Sequence, residues 1–521
     1  SMKKISVVNL TISIILTIFM LIGYSVQKYH VIDSLFQFKT LLYFVLLIVI
    51  FYVAIFLIYQ ICEKFSNSSS KLYDLVFDKH PFIIPFILFL LLGIPILIYY
   101  YPGTVQWDGM KQLDYYFNII PWSNHHPVFP TILMGTCMKI GRFLINDNFG
   151  IFLYTFLQYI ISCAVFSYVL VFLKSQKVPK CWIIITFLFF INPIWYINAY
   201  TLVKDTIFYL VFILFLISFI KYFYDDKKIN LYYLLITSIL VILFRNNGIY
   251  IIVITFFLMT FFRKNRKQYI KLCIFFLLFQ VTYTMLISIC GIRQGNIREM
   301  LSVPIQQTSR YVTQYQVTED EQKIIENVFH INIEEIQQKY NPELSDPVKF
   351  HFYVKNKSEF IQYLTAWLKQ FLKHPKVYFD SFIENYYGYF YPPKQEYKDG
   401  IVQFDIVKSK RVNTGYFNIY HQEKYEKNRT QIQNQIQWIR NLPVIQYFFN
   451  TGIYNWIFII IVGYTLYKRN YETVIFSIPL FMVLVFCFLS PVNAYIRYMN
   501  PLIVSLPIYF GIAIKAQSSC K

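Results

Sequence analysis

The chain has 521 residues, of which 56% are hydrophobic and only 15% are charged, against roughly 25% charged residues in an average soluble protein. This composition excludes an ordinary water-soluble enzyme, because too little polar surface would remain to cover a folded chain of this size. The formal charge of +20 does not indicate a nucleic-acid partner, because most basic residues lie in short loops beside apolar segments and no nucleic-acid-binding motif accompanies them.

Apolar segments recur along the chain, mostly about 17 to 24 residues long, which is enough to cross roughly 30 Å of hydrocarbon. We predict an all-α polytopic membrane protein with about twelve transmembrane helices. Two of them lie in residues 1–81, ahead of a membrane core at 82–290, and three follow in 451–521. The predicted spans are 7–26, 40–61, 82–101, 150–173, 182–199, 206–222, 231–245, 249–263, 270–290, 451–467, 472–490 and 499–515.

Basic residues set the predicted orientation in the cytoplasmic membrane. The cluster of Arg263, Lys264, Arg266 and Lys267 is placed in the cytoplasm by the positive-inside rule, which then places both termini there. The map is consistent only if the apolar stretch 126–145, which begins with prolines and contains charged residues, lies along the outer surface as an interfacial helix. Residues 102–149 are therefore predicted to form one extracytoplasmic loop.

The hydrophilic stretch 291–450 is the second predicted extracytoplasmic region. Its mixed charge and short helical patterns predict a mainly helical domain, inserted before the last three spans. None of the eight cysteines lies in it, so we expect it to fold without disulfides. The cysteines show no CxxC pair or Cys/His metal spacing, and no metal or other cofactor is expected.

Asp108 is the first candidate for chemistry. It lies in YYPGTVQWDGMKQLDYYF, just past the third predicted span and beside Trp107. Partial desolvation there would raise the pKa of the carboxyl group and suit it to act as a general base. The alternative is a solvated loop residue or a helix cap.

Further polar residues fall on the same predicted side of the membrane as Asp108. His125 and His126 begin the interfacial helix and could bind a phosphate, or could be an interfacial pair bonded to the backbone. Charged side chains near hydrocarbon are energetically costly unless they form ion pairs or serve a function such as ligand binding. The alternative for such residues is that they extend into the lipid headgroups without a further role. Several facing cations are what a lipid-linked phosphate needs; the candidates, with their polar neighbours, are Lys204, Asp205, Arg245, Asn246, Arg497 and Tyr498.

Four motifs, in this order and on one side of the membrane, together resemble the GT-C superfamily of membrane glycosyltransferases: the external Asp108, the HHPVFP start of the interfacial helix, the KD pair at 204–205 and the C-terminal RYMNP. The resemblance covers roughly residues 82–290 and 470–515. It implies a polyprenyl-phosphate sugar or a related lipid-linked sugar as donor. It also implies that Asp108 takes the acceptor's proton and that the cations at 204, 245 and 497 lie near the lipid phosphate.

The chain departs from that superfamily in two ways. Two N-terminal spans precede the core, and the hydrophilic domain is inserted before the last three spans rather than placed at the C-terminus. No DxD or ExD motif surrounds Asp108, which favours the metal-free, monosaccharide-transferring branch over the metal-dependent oligosaccharyltransferases.

Two segments of the inserted domain are candidates for shaping the site. LSVPIQQTSRYV, with Gln306, Gln307 and Arg310, follows the ninth predicted span so closely that we expect it to pack onto the membrane cavity and contact substrate. The aromatic run from Tyr386 to Tyr391 offers flat faces on which sugar rings can stack. Ordinary domain packing is the alternative for both segments.

The sequence favours a bacterial, inverting glycosyltransferase that moves a sugar from a polyprenyl-phosphate carrier to an acceptor outside the membrane. The expected partners are the lipid-linked donor, a glycan or lipid acceptor and the membrane lipids. The acceptor could be a cell-wall polymer, a teichoic acid or a glycolipid. Two other functions stay open: a flippase or transporter of lipid-linked saccharide, and a polymerase or ligase of surface polysaccharide.

Overall fold

The computed structural model describes residues 6–65, 71–262, 264–393, 402–409 and 415–515. Arg263, part of the basic cluster used for orientation, lies outside these residues. The predicted all-α class is confirmed, because helices account for the regular structure of the described ranges apart from one pair of two-residue strands.

The helices of the N-terminal half begin and end as follows: α1 Val7–Tyr29, α2 Phe38–Glu63, α3 Lys71–Tyr73, α4 Ile83–Leu92, α5 Ile94–Tyr99, α6 Trp107–Tyr116, α7 Val128–Leu144, α8 Asp147–Ser175, α9 Lys180–Ile191, α10 Pro193–Ala199, α11 Lys204–Tyr224, α12 Lys228–Phe244, α13 Gly248–Met259 and α14 Arg266–Ile289. A π-helical turn occupies Asp74–Asp78 and a 3₁₀ turn occupies Asp33–Phe36.

Those of the C-terminal half are α15 Ser302–Gln314, α16 Glu319–Phe329, α17 Ile333–Lys339, α18 Asp346–Lys349, α19 Lys357–Lys373, α20 Pro375–Tyr386, α21 Glu426–Arg440, α22 Thr451–Tyr467, α23 Tyr471–Ile475, α24 Ser477–Cys487 and α25 Ile496–Ile514. The 3₁₀ turns here are Ile297–Met300, Tyr387–Tyr389, Glu423–Tyr425 and Ile445–Phe449.

Five of the described helices are long and apolar enough to cross a membrane, namely α1, α2, α8, α11 and α14. A sixth span is formed if α9 and α10, which meet at a bend of 54°, are counted together. The bend falls at Asn192-Pro193, where proline cannot donate the backbone hydrogen bond that a straight helix needs. Shorter apolar helices account for most of the other predicted spans, and the count of twelve stays a prediction.

Helix α11 lies at the centre of the helical core. In its most apolar stretch 89% of the residues are buried, against 6% for α2, which lies at the periphery. It packs against α8, α12 and α25. The polar N-terminal end of this central helix carries Lys204 and Asp205, both of them buried. The core therefore surrounds two charged residues at one end of α11.

The predicted interfacial helix is α7, which packs closely along α8. A side chain at Gly141 would bring its Cβ within 2.2 Å of the Gly150 backbone, so the two helices approach each other where both lack side chains. Arg142 pairs with Asp147 at 2.6 Å and closes the turn between them. Helix α7 and this turn lie within the predicted loop 102–149.

Short strands join the start of α6 to the start of α11. Strand β1 (Thr104–Val105) pairs in parallel with β2 (Thr201–Leu202). A segment from much later in the chain adds to them, because Val105 forms a parallel bridge with Ile406. Backbone hydrogen bonds from Val105 N to Asp405 O and from Val407 N to Val105 O hold this third segment in place.

The stretch 291–450 contains a hydrophobic cluster of its own, built from residues between Leu301 and Tyr363 of α15 to α19. Side-chain caps mark its helices: Thr318 and Glu321 form a reciprocal capping box at the start of α16. The Tyr387–Tyr389 turn packs onto α1 and α22. The predicted helical character of this region is therefore confirmed over its described residues, and its position outside the membrane stays a prediction.

Candidate functional site

A cavity of about 1120 Å³ lies where α6, α11 and α25 meet the inserted domain. Ten of the thirteen site residues chosen from the sequence line it. They are Trp107, Asp108, His125, His126, Lys204, Asp205, Arg245, Asn246, Arg497 and Tyr498. Residues up to 391 positions apart in the chain, Trp107 and Tyr498, are thereby brought to one place.

Asp108 binds two cations. Its Oδ2 accepts hydrogen bonds from Lys204 Nζ and from Arg497 Nη2, each at 2.8 Å. The β1–β2 pairing explains the first contact, because it aligns the starts of α6 and α11, which carry Asp108 and Lys204. Gly109 permits the close approach: a Cβ there would lie 2.2 Å from Leu202 O.

Asp205 forms a second ion-pair group in the same cavity. Its Oδ1 lies 3.2 Å from Arg245 Nη1 and its Oδ2 lies 3.5 Å from Arg497 Nε. The guanidinium of Arg245 also stacks over the rings of Phe208 and Tyr498, at 5.1 Å and 5.6 Å. Arg497 therefore bridges the two carboxylates, and Asp205 orients both arginines.

The two groups together contain three cations and two carboxylates, which leaves this end of the cavity with a net positive charge. Burial by itself would raise the pKa of Asp108, but Lys204 and Arg497 outweigh it and hold that pKa well below its usual range. The expectation of a raised pKa is therefore wrong. The expectation considered only burial beside Trp107. The sequence did not show that Lys204 and Arg497 contact the Asp108 carboxylate directly.

The two histidines are neutral at pH 7. Burial lowers the pKa of His126 well below its usual value, and the nearby Lys204 ammonium lowers it further. Its Nδ1 lies 3.2 Å from Lys204 Nζ, and because an ammonium can only donate, Nδ1 accepts and the ring proton is assigned to Nε2. Burial also lowers the pKa of His125 to about 4. Each imidazole can therefore donate one N–H bond to an anion without adding charge.

The structure also shows site residues that the sequence analysis missed. Gln106 accepts a hydrogen bond from Arg497 through its Oε1, and the Asn124 carbonyl accepts one from Asn246 Nδ2 at 2.6 Å. Glu299, Asp346 and Lys349, from the inserted domain, line the cavity as well. Only the position of Gln106, two residues before Asp108, was a usable signal, because the others depend on how the domain packs on the core.

Three sequence candidates do not line this cavity. The side chains of Gln306 and Gln307 bond inside the domain, to the carbonyls of Asn341 and Tyr378. Arg310 is buried against Glu384. The expectation that this segment contacts the cavity is wrong, because α15 turns its polar side chains into the domain instead.

The aromatic run from Tyr386 to Tyr391 is also used in packing. All its tyrosines are buried. Tyr386 and Tyr389 donate hydrogen bonds to the carbonyls of Ser490 and Val492, which joins the domain to the loop before α25. Ordinary packing, the alternative reading of this run, is what the structure contains.

No three His, Cys, Asp or Glu side chains come together to hold a metal ion within the described ranges. The carboxylates of Asp108, Asp205, Glu299 and Asp346 are paired with Lys or Arg instead. The arrangement suits the binding of an anion, which could exchange with the carboxylates for the same N–H groups.

Fold and site together define an all-α protein with a cation-rich cavity at one end of its core. Its described residues contain five or six helices long and apolar enough to cross a membrane. The chain belongs to the family of unknown function DUF6020, whose model matches residues 121–519. That match includes Lys204, Arg245 and Arg497, while Asp108 precedes it. No curated protein and no solved structure matches the chain.

Proposed function

We propose that the protein is a GT-C-like membrane glycosyltransferase with about twelve spans. It transfers a sugar from a polyprenyl phosphate to an acceptor outside the cytoplasmic membrane, with inversion at the anomeric carbon. The observation that carries the proposal is the binding of one Asp108 oxygen by Lys204 and Arg497, each at 2.8 Å, inside a cavity large enough for a sugar phosphate.

The lowered pKa of Asp108 is compatible with a base that becomes active only when the donor is bound. In the free enzyme the two cations neutralise Asp108 and weaken it as a proton acceptor. A phosphate that takes over N–H groups of Lys204 and Arg497 draws these cations away from the carboxylate. The pKa of Asp108 then rises, and the carboxylate becomes a stronger base in the donor complex than in the free protein.

The proposed reaction balances in one step. The acceptor oxygen forms a bond to the anomeric carbon while the bond from that carbon to the phosphate oxygen breaks. The hydroxyl proton passes to Asp108, and the leaving polyprenyl phosphate carries the electron pair away. Lys204, Arg245 and Arg497 stabilise the charge that grows on it, and His126 donates from Nε2.

A transfer assay tests the proposal. Purified protein in lipid nanodiscs is incubated with a panel of radiolabelled polyprenyl-phosphate sugars and membrane extracts containing candidate acceptors. We expect label to move from at least one carrier to an acceptor, and the Asp108→Asn variant to lose this transfer. Binding of carriers without transfer from any of them would contradict a glycosyltransferase.

A flippase for lipid-linked saccharide is the second candidate, and one observation favours it. The bent pair α9 and α10 is the kind of broken helix that transporters use near their substrate sites. The two functions differ in a sealed-vesicle experiment. A flippase moves a labelled carrier between leaflets with its sugar still attached, and this movement needs no Asp108 carboxylate.

The proposed orientation places the loop 102–149 and the domain 291–450 outside the cell. Cysteine variants at exposed positions on the two predicted sides, made in a protein whose native cysteines are replaced by serine, test it with a membrane-impermeant maleimide in intact cells. We expect Phe143→Cys, which replaces an 87% exposed side chain, to be labelled and Ser175→Cys to be protected. The reverse pattern would invert the topology.

A further inference from the structure

The cavity has a second wall, which comes from the inserted domain and differs in chemistry from the cationic end. We call its charged and aromatic residues the domain wall; they are Glu299, Asp346, Lys349 and Phe350, and Trp107 faces the same cavity from the start of α6. None of the four domain residues was among the candidates chosen from the sequence.

In the domain wall the Lys349 ammonium is buried behind the carboxylates of Glu299 and Asp346. Lys349 is buried, with only 3% of its side chain exposed, and its Nζ lies 3.0 Å from Glu299 Oε2 and 2.9 Å from Asp346 Oδ1. The two carboxylates keep 27% and 30% of their side chains exposed. The cavity therefore meets carboxylate oxygens, which accept hydrogen bonds, and not the ammonium.

Two aromatic rings accompany these oxygens. Phe350 is 61% exposed and Trp107 is 53% exposed, and both line the cavity. The Arg298 guanidinium lies over one face of the Phe350 ring, 5.8 Å from its centroid. Large aromatic side chains exposed in a cavity offer flat apolar faces. Carboxylate oxygens accept hydrogen bonds from hydroxyl groups, and the axial C–H faces of a sugar ring pack on aromatic faces. The combination fits a saccharide.

The net charge narrows the ligand further. Arg298 belongs to this group as well, because its Nε lies 3.4 Å from Glu299 Oε1. Two carboxylates, Lys349 and Arg298 leave the domain wall without net charge, whereas the opposite end carries three cations against two carboxylates. A phosphate-rich polymer would gain no net electrostatic attraction at the domain wall and would be drawn to the other end instead. An uncharged saccharide has no such preference and can hydrogen-bond to the carboxylates.

We infer that the domain wall is the acceptor subsite and that the acceptor is an uncharged saccharide, not a polyanionic polymer. This inference rests on the proposed function, because it takes the cationic end as the donor site. The inserted domain thereby supplies acceptor recognition to a reaction whose charged groups lie in the helical core.

Binding measurements on full-length protein in lipid nanodiscs test the inference. The probes are neutral trisaccharides of glucose, galactose and N-acetylglucosamine, a glycerol phosphate trimer as the anionic competitor, and farnesyl phosphate as a probe of the cationic end. We expect at least one neutral trisaccharide to bind, and the glycerol phosphate trimer to bind more weakly than it at the domain wall.

Two variants locate the binding. Phe350→Ala and Asp346→Asn should each weaken trisaccharide binding about tenfold, the usual worth of one aromatic contact or one charged hydrogen bond. The matched controls Tyr353→Ala and Glu334→Gln alter exposed residues of the same domain that do not line the cavity, and they should leave binding unchanged. Farnesyl phosphate binding should be the same in all four variants, which also shows that they fold.

Three results would overturn the inference: no neutral trisaccharide binds, the two wall variants bind the trisaccharide as well as wild type, or the anionic trimer is preferred and its binding depends on Phe350 and Asp346. If the wild-type protein does not bind farnesyl phosphate, the proposed donor site is contradicted instead. The saccharide result would then still decide the nature of the domain wall.

Discussion

Two buried ion-pair clusters of similar composition have different surroundings in this protein. Asp108, Lys204 and Arg497 meet at the edge of a cavity of about 1120 Å³. Arg310 and Glu384 meet inside the domain, where Glu384 also contacts His30 at 2.6 Å and Arg310 donates to the His30 carbonyl at 2.7 Å. The first cluster has space for a ligand beside it, while the second joins the end of α1 to the domain.

The comparison shows that a buried arginine–carboxylate pair does not by itself indicate a binding site. Arg310 and Glu384 have 5% and 3% of their side chains exposed, whereas Asp108 keeps 24%. Access from the cavity separates the two clusters. We therefore expect substitutions in the first to change turnover and substitutions in the second to change stability.

The Asp108→Asn variant should show the largest effect on turnover. The amide keeps nearly the same shape but cannot take the acceptor's proton, so transfer should fall by about 10² to 10⁴-fold, the usual worth of general acid–base catalysis. Binding of farnesyl phosphate should persist, because the cations remain. Initial rates and equilibrium binding, measured on one preparation, check both parts; near-normal turnover would remove Asp108 from the mechanism.

The Glu384→Gln variant tests the second cluster, that of Arg310 and Glu384. It leaves the Arg310 guanidinium buried without its carboxylate, which should lower the free energy of unfolding by about 3–5 kcal/mol. Turnover per folded molecule should stay close to wild type. Denaturant unfolding in detergent measures the stability, and the transfer assay measures the turnover. A loss of turnover at normal stability would contradict the assignment of a structural role to Arg310 and Glu384.

The Lys204→Ala variant should weaken both donor binding and turnover. One hydrogen bond to a charged group is worth about 1.5–3 kcal/mol, so farnesyl phosphate should bind roughly 10 to 150 times more weakly. Lys221→Ala is the matched control, because Lys221 lies in the last turn of the same helix and bonds to Tyr168. Equal affinities of the two variants would place the phosphate elsewhere.

The last prediction concerns the pH dependence of stability at His125, an effect confined to acid pH. Burial lowers the pKa of this imidazole from 6.5 to about 4, so between these values the unfolded chain binds more protons than the folded one. His125 therefore makes stability fall as pH decreases from about 6.5 to 4. The His125→Gln variant should show a shallower decline of its melting temperature over this range. An unchanged slope would mean that the imidazole is already charged in the folded protein.

The helical class and the position of most helices followed from the sequence, because runs of apolar residues as long as α8 or α14 permit little else. The ends of the helices near Asp108 and Lys204 were also placed to within a few residues. The bend between α9 and α10 was missed, since the predicted span 182–199 ignored Pro193.

The site was predictable only in part. Charges at the ends of apolar segments are costly, and this reasoning selected Asp108, Lys204, Arg245 and Arg497, which line one cavity in the structure. Arg310 carried the same kind of signal but lies in a packed cluster, because burial in a domain and burial beside a cavity look alike in sequence. The domain wall depends on tertiary packing, and no local pattern marked it.

The partners of Asp108 have a consequence for how the protein is made. Arg497 follows Asp108 by 389 residues, and the third segment beside β1 comes from residue 406. At synthesis rates of about 5–20 residues per second, roughly 20–80 s separate the two members of this ion pair on the ribosome. Nearly all later helices are therefore synthesised before Asp108 can meet Arg497. A nascent chain cannot assemble the complete ion-pair cluster until the start of α25 has left the ribosome.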